Sequence, residues 1–387
     1  MKPIKKHLIA AAIGSMTLAT ATSIQAKSIE HIMPDSSIEV DFRYRVESVD
    51  KDNALDTALA NTLKSRITLN TGNISGFSTL LEGDNVLHVT DEFWDKAGSN
   101  TNNENVVLDQ ESTQLNQAYF QYTGFNSVIK AGNQRINLDN QRHIGGVAFR
   151  QDEATFDAVS ITNQSMAHTT IFAAFANNIN NIKNENIELN LRIINVKYDV
   201  NPELLATGFF YGIETPDGET LNTLGVRITG KVASLSFEAE VASQKESSEN
   251  TRVHYYNFSV TQHLPWVTTK LGYEVLGSDN GKASFTTPLG TNHKFMGWSD
   301  SYLQAPTQAG IQDLNLTAIT RVNGIKLVAQ LHKFDAATGS ASLGTELGIL
   351  AAKQFGDYGA SLKVAKFNAG DLGVDATKIW LTGTAKL

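Results

Sequence analysis

From Ser37 to Val46 the chain alternates without a break: Ile38, Val40, Phe42, Tyr44 and Val46 occupy every second place, and Glu39, Asp41, Arg43 and Arg45 fill the others. A strand sends successive side chains to opposite faces, so one face here is apolar or aromatic and the other carries a charge at each of those four places. A soluble sandwich seldom places four such charges in a row on one strand. A sheet with lipid on one side and a water-filled lumen on the other requires this pattern. The same texture recurs at 63–71, where Lys64, Arg66, Thr68 and Asn70 share the polar side, and again at 235–241, 267–275 and 325–331.

Turn chemistry punctuates these segments at Thr71-Gly72-Asn73, Asn201-Pro202, Thr215-Pro216-Asp217-Gly218 and Val322-Asn323-Gly324. Longer polar stretches fall near 84–112, 177–187, 244–252, 278–311 and 335–341. Long connections alternating with short ones fit extracellular loops and periplasmic turns. The expected architecture is all-β: a transmembrane antiparallel β-barrel of about 18 strands, with 16 as the alternative count. Beyond residue 26 no apolar run reaches the roughly 20 residues a membrane helix needs, so a closed barrel is the one spanning form open to this chain.

Lys2, Lys5 and Lys6 precede an apolar stretch ending near Ile24-Gln25-Ala26, which reads as an export signal over residues 1–26, cut after Ala26. Residues 27–387 are then a single barrel domain in the outer membrane of a Gram-negative bacterium. That domain carries 29 basic against 40 acidic residues, a balance that argues against nucleic acid as a partner. The chain has no cysteine, which removes disulfides, thiolate metal sites and cysteine nucleophiles. The histidines are scattered, with no metal-ligand spacing, and Gly297-Trp298-Ser299-Asp300-Ser301 lacks the second glycine of a nucleophile elbow. An enzyme, a cofactor and a metal are accordingly not expected.

Two further stretches carry more than barrel texture. The first runs Lys130-Ala131-Gly132-Asn133-Gln134-Arg135-Ile136, Leu138-Asp139-Asn140-Gln141-Arg142-His143-Ile144-Gly145, Phe149-Arg150-Gln151 and Thr155-Phe156-Asp157-Ala158. The second runs Gly272 to Asp279, Pro288 to Phe295, Gly297 to Asp300 and Gly310 to Leu314. Together they resemble the signature of the alginate-export porin family. The resemblance implies an 18-stranded monomeric barrel whose lumen bases favour anionic sugars; it does not imply that this chain exports alginate.

The expected pore-lining residues are Arg43, Arg45, Lys64 and Arg66 on the first two strands, and Gln117, Tyr119 and Gln121 on the fourth. Arg192, Arg227, Lys270, Lys326 and Lys363 fall on polar faces further round. Guanidinium groups hold carboxylates by paired hydrogen bonds, so a ladder of them makes a path for acidic solutes such as uronate saccharides. The inward acids Glu39, Asp41, Glu238, Glu240, Glu274 and Glu346 offer the opposite reading, in which bases and acids brace the wall across strands. Arg135, Arg142 and Arg150 read either as a basic constriction or as pins holding a loop, and their spacing suggests a strand, a turn and a returning strand. Phe42, Tyr44, Phe120, Tyr122, Phe209, Phe237, Tyr273 and Trp380 are expected to form a lipid-side girdle rather than a sugar track. The partners implied are outer-membrane lipid and small hydrophilic or anionic solutes. Because 84–112 and 278–311 are long enough to fold inward, a plugged barrel acting as an adhesin or structural protein is the alternative.

Overall fold

The structure, a computed structural model, describes residues 35–90, 94, 103–247 and 251–387. The export signal expected over 1–26 lies outside the described residues, as does part of the loop expected over 84–112.

Eighteen strands follow one another in chain order. They are β1 (Ser37–Lys51), β2 (Ala58–Asn70), β3 (Phe77–His88), β4 (Ser112–Gly124), β5 (Ser127–Gln134) and β6 (Thr155–Asn163); then β7 (Thr169–Asn180), β8 (Asn186–Asn201), β9 (Leu204–Glu214), β10 (Thr220–Val232), β11 (Leu235–Glu246) and β12 (Arg252–His263); and finally β13 (Thr268–Leu276), β14 (Ile311–Val322), β15 (Ile325–Asp335), β16 (Ser342–Phe355), β17 (Tyr358–Ala369) and β18 (Ala376–Lys386). Each pairs antiparallel with the next, and β1 pairs with β18, from Asp41 opposite Lys386 to Lys51 opposite Ala376. The sheet is therefore closed and has no free edge, which satisfies every strand's backbone without water. The last residue takes part: the Val40 and Leu387 amides donate to each other's carbonyls at 3.1 and 2.9 Å. Among the described residues the only helical turn is a 3-10 segment, Asn292–Lys294, and no helix is long and apolar enough to cross a membrane.

Eight connections, such as 125–126, 202–203 and 323–324, are short and lie at one end with the start of β1 and the end of β18. Nine lie at the other end, and three of these are long: 89–111, 135–154 and 277–310. The outer face carries the apolar set of the alternation, with Phe120, Leu224, Val226, Phe258, Leu271 and Leu381 all more than half exposed.

The inner face is not uniformly polar. Towards the long-loop end the inward positions become large and apolar, including Leu191, Ile193, Tyr255, Leu276, Phe334 and Phe367. They pack against Ile136, Leu138 and Ile144 of one long loop and Phe285, Met296 and Tyr302 of another, so the hydrophobic core sits inside the barrel. This core corrects two members of the expected lipid-side girdle. Phe209 is buried inside, stacked on Tyr211 at 4.9 Å between ring centres. Trp380 is buried inside against Phe149. Both face inward because the loops, rather than lipid, supply their apolar surroundings.

Candidate lumen constriction

The loop 135–154 leaves β5 and crosses the lumen before it enters β6. Asp139 accepts a hydrogen bond from Asn195 on β8 at 2.7 Å and pairs with Lys197 at 3.2 Å. Asn140 donates to Glu238 on β11 at 2.7 Å, and His143 lies 2.6 Å from Glu240. Arg142, wholly enclosed, donates to Glu274 on β13 at 2.6 Å and to Asn292 of the loop 277–310 at 2.7 Å. The chain then returns to the opposite wall. Arg150 pairs with Glu47 on β1 at 2.9 Å and with Asp300 at 3.1 Å, and the Gln151 side chain donates to Thr62 on β2 at 2.8 Å. The strand, turn and returning strand expected from the arginine spacing are thus replaced by an irregular loop, because its polar groups find partners on distant strands rather than across a hairpin.

The loop 277–310 lines the other side. The Gly145 amide donates to the Leu289 carbonyl at 2.8 Å and the Thr291 amide to the Gln141 carbonyl at 2.9 Å, so the two loops are joined. Backbone amides of Trp298 and Ser299 donate to the Glu346 carboxylate on β16, and the Tyr302 hydroxyl donates to the carbonyls of Leu343 and Leu372 at 2.9 Å each.

Where the two loops meet the wall of β1 and β2, the expected bases come together. Arg66 holds Asp84 through two hydrogen bonds of 2.7 Å each and reaches Glu153 at 3.0 Å. Arg135 shares Glu153 and also meets Glu82 at 3.0 Å. Lys64 pairs with Asp84 at 2.8 Å, and Arg45 pairs with Asp109 at 3.3 Å while lying 4.6 Å over the Phe149 ring. Arg43 differs. Its guanidinium donates to the Gln151 side chain at 2.8 Å and to the carbonyls of Ala148 and Arg150, and it pairs with no carboxylate among the described residues.

Gln117 and Tyr119 are inward and buried; Gln117 donates to Glu82 at 3.0 Å, and Tyr119 lies beside Lys130. Gln121 is half-buried on the same face, with Thr123 as its partner. Lys326 shares the inward side of β15 with Val328, Gln330 and His332, near the short-turn end. Arg192 is placed otherwise: its neighbours Leu191 and Ile193 take the inside, and Arg192 stands on the outer face, largely exposed, paired with Glu214 at 2.9 Å. The apolar inner face near the loop end has inverted the expected polarity there.

One cluster joins Lys363, marked in the sequence only as a polar-face base, to aromatics and a histidine that no sequence pattern linked to it. The Lys363 ammonium lies 4.2 Å over Phe149, 4.7 Å over Trp298 and 5.6 Å over Trp380, within 3.1 Å of His293 Nε2. His293 in turn meets Asp300 through Nδ1 at 2.6 Å and stacks on Phe149. Burial pushes the His293 imidazole down to about 4, outweighing the pull of Asp300. Burial alone would raise Asp300, but His293, Lys378 and Arg150 hold it well below the usual carboxylate range. The Lys363 ammonium therefore donates to a neutral imidazole.

Cavities remain on both sides of this constriction. Towards the long loops one of about 410 Å³ is bordered by Lys51, Arg150, His293, Asp300 and Lys378. Towards the short turns one of about 330 Å³ is bordered by Arg43, Lys64, Arg66 and Glu153, and others of about 270 and 590 Å³ border Lys130 and Lys270.

A closed 18-stranded antiparallel barrel with loops folded into its lumen is the class of protein that this fold and this site define, and the barrel itself matches that of the OccK/Opd porins. Among solved structures, the chain is similar to Pseudomonas aeruginosa OccK9 (OpdG), with 13% identity, a TM-score of 0.73, and 92% of this chain and 99% of that one covered. It is also similar to Acinetobacter baumannii OccAB4, with 12% identity, a TM-score of 0.72, and coverage of 92% and 98%. Pseudomonas aeruginosa OccK8 (OprE) gives 15% identity, a TM-score of 0.69, and coverage of 92% and 98%. At such identities the likeness is one of fold. No family model and no curated protein matches the chain. The resemblance to alginate-export porins therefore gains no support, and the solved barrels it is similar to are of the OccK/Opd kind.

Proposed function

We propose that this chain is an outer-membrane porin of a Gram-negative bacterium, monomeric, exported by a signal removed near Ala26, that passes small hydrophilic solutes and prefers anionic ones. The observation that carries the reading is Arg43: a base on the inner face of β1 that borders a cavity with its guanidinium held by neutral acceptors. Lys51, Lys130 and Lys270 border the neighbouring cavities, and none pairs with a carboxylate among the described residues. A carboxylate entering from either side would meet cations not yet neutralised, which lowers its barrier relative to a cation of equal size. Uronate saccharides, with a carboxylate and many hydroxyls, are the finer candidate.

Reversal potential and conductance in a planar bilayer under a salt gradient test this. The native channel should favour anions and be blocked by added oligouronates, and Arg43→Gln should lower the anion-to-cation permeability ratio several-fold with the barrel intact. Unchanged selectivity would remove Arg43 from the conduction path. The depth to which loops 135–154 and 277–310 fill the lumen favours a second reading, a plugged barrel serving as an adhesin or structural protein. Absence of conductance from verified folded barrel would select it.

A further inference from the structure

The outer face of β8–β12 interrupts the smooth apolar belt with a groove of about 570 Å³. Ile194, Val196, Phe210, Leu224, Val226 and Tyr256 are among its walls. Its floor exists because Gly208, opposite Val196 on one side and Val226 on the other, has no side chain; a Cβ built there would meet nothing within 4 Å. Towards the long-loop end the same outer face turns basic on β11 and β12. Lys245 on β11 and Arg252 on β12 are direct register partners, both exposed, with Ser243 and His254 as the next outward pair towards the groove. Arg252 donates to the Ser243 hydroxyl at 3.2 Å. Arg192, exposed on β8 beside Glu214, marks the other flank.

Like charges directly opposite each other on one face of a sheet repel. An anion seated between Lys245 and Arg252 removes that cost. Both residues stand at the loop-side edge of the apolar band, and Arg252 turns its guanidinium back towards the groove to reach Ser243. From β8 to β11 is three strand spacings, on the order of 15 Å, and Arg192 is already paired with Glu214 at 2.9 Å, so the seat for an anion is the Lys245–Arg252 pair.

We propose that this face is a binding site for a phosphorylated glycolipid of the lipid A type, from the leaflet at the long-loop end. A phosphate sits between Lys245 and Arg252, and an acyl chain lies in the groove over Gly208. The proposal rests on the outer-membrane reading, since only there does such a lipid face the long loops.

The test is native mass spectrometry of the full chain, folded in detergent, with added diphosphoryl lipid A and, separately, phosphatidylglycerol at equal concentration. A one-to-one lipid A adduct several-fold more populated than the phosphatidylglycerol adduct is expected. Lys245→Ala with Arg252→Ala should reduce it several-fold, and so should Gly208→Trp, which fills the groove without touching the bases. Absence of an adduct, equal adducts with both lipids, or an adduct unaffected by either variant overturns the proposal. Conductance measured on the same preparation separates the two readings: open channels without a lipid A adduct overturn the lipid site alone, whereas an adduct on a closed barrel overturns only the porin reading.

Discussion

Arg142 shows how much of the lumen's charge is structural. Its guanidinium is wholly enclosed, with Glu274 at 2.6 Å, Asn292 at 2.7 Å and the Phe295 ring at 4.9 Å. Tyr255 donates to the same Glu274 carboxylate at 2.7 Å, so the site is a small network rather than a lone pair. Removing one partner of a buried pair strands the other as an uncompensated charge, at a cost of about 3–5 kcal/mol. Arg142→Ala is therefore expected to lower unfolding stability by that amount in urea titrations of the detergent-folded barrel. A loss within about 1 kcal/mol of native would show that water reaches Glu274. Arg142 was visible in the sequence as a base with two alternative duties, and the structure places it inside a joint between two loops. Nothing in the sequence chose between those duties, since the decision rests on Glu274, which lies 132 residues along the chain.

At the scale of the element, the loop 135–154 narrows the barrel. It touches β8, β11 and β13 on its way out and β1 and β2 on its return, so it spans the lumen instead of lying along its own wall. Because the barrel is closed by strand pairing alone, the loop is not required to complete the sheet. Replacing residues 138–150 by a short Gly-Asn turn is expected to leave the heat-modifiable gel mobility of a folded barrel and to raise single-channel conductance several-fold. Folded barrel with native conductance would mean that ions pass elsewhere. The strands were legible because their period of two is a local property, written in runs such as Ser37 to Val46. The loop was not, since its order comes from contacts with strands far along the chain, and its regular arginine spacing suggested a hairpin.

For the whole molecule, the seam between the loop 277–310 and the wall of β17 and β18 sets a pH dependence. His293 titrates near 4 in the folded barrel against 6.5 when unfolded, so the unfolded state takes up its proton first. Stability from this group is complete above about 6.5 and is lost as pH falls towards 4. Protonation would also turn an N–H towards the Lys363 ammonium. Asp300, held well below its usual range, acts in the same direction, contributing above about 3.8 and losing that contribution at lower pH. Asp152, raised by burial to about 6, opposes them, because its proton is held more tightly in the folded state as pH falls through that value. Between pH 6.5 and pH 4 the loss from His293 and the gain from Asp152 nearly offset each other, and below about 3.8 the Asp300 contribution is lost as well. The midpoint of thermal unfolding should therefore change little from pH 6.5 to pH 4 and fall below that, whereas His293→Gln, which leaves the Asp152 gain unopposed, should raise the midpoint over the same window. A variant profile identical to the native one would remove His293 from the seam.

The sequence by itself determined that the chain forms strands with one apolar and one polar face and that a span of the membrane has to be a barrel; both follow from side-chain alternation and the absence of long apolar runs. It also marked Arg43, Arg45, Lys64 and Arg66 as facing one way, because adjacent alternating positions need no distant information. Only the tertiary structure decided which of these bases are neutralised, that Phe209 and Trp380 face inward, and that Arg192 faces out. Those outcomes depend on where the long loops settle, which is fixed by hydrogen bonds and ion pairs between residues from about forty to a hundred and fifty positions apart.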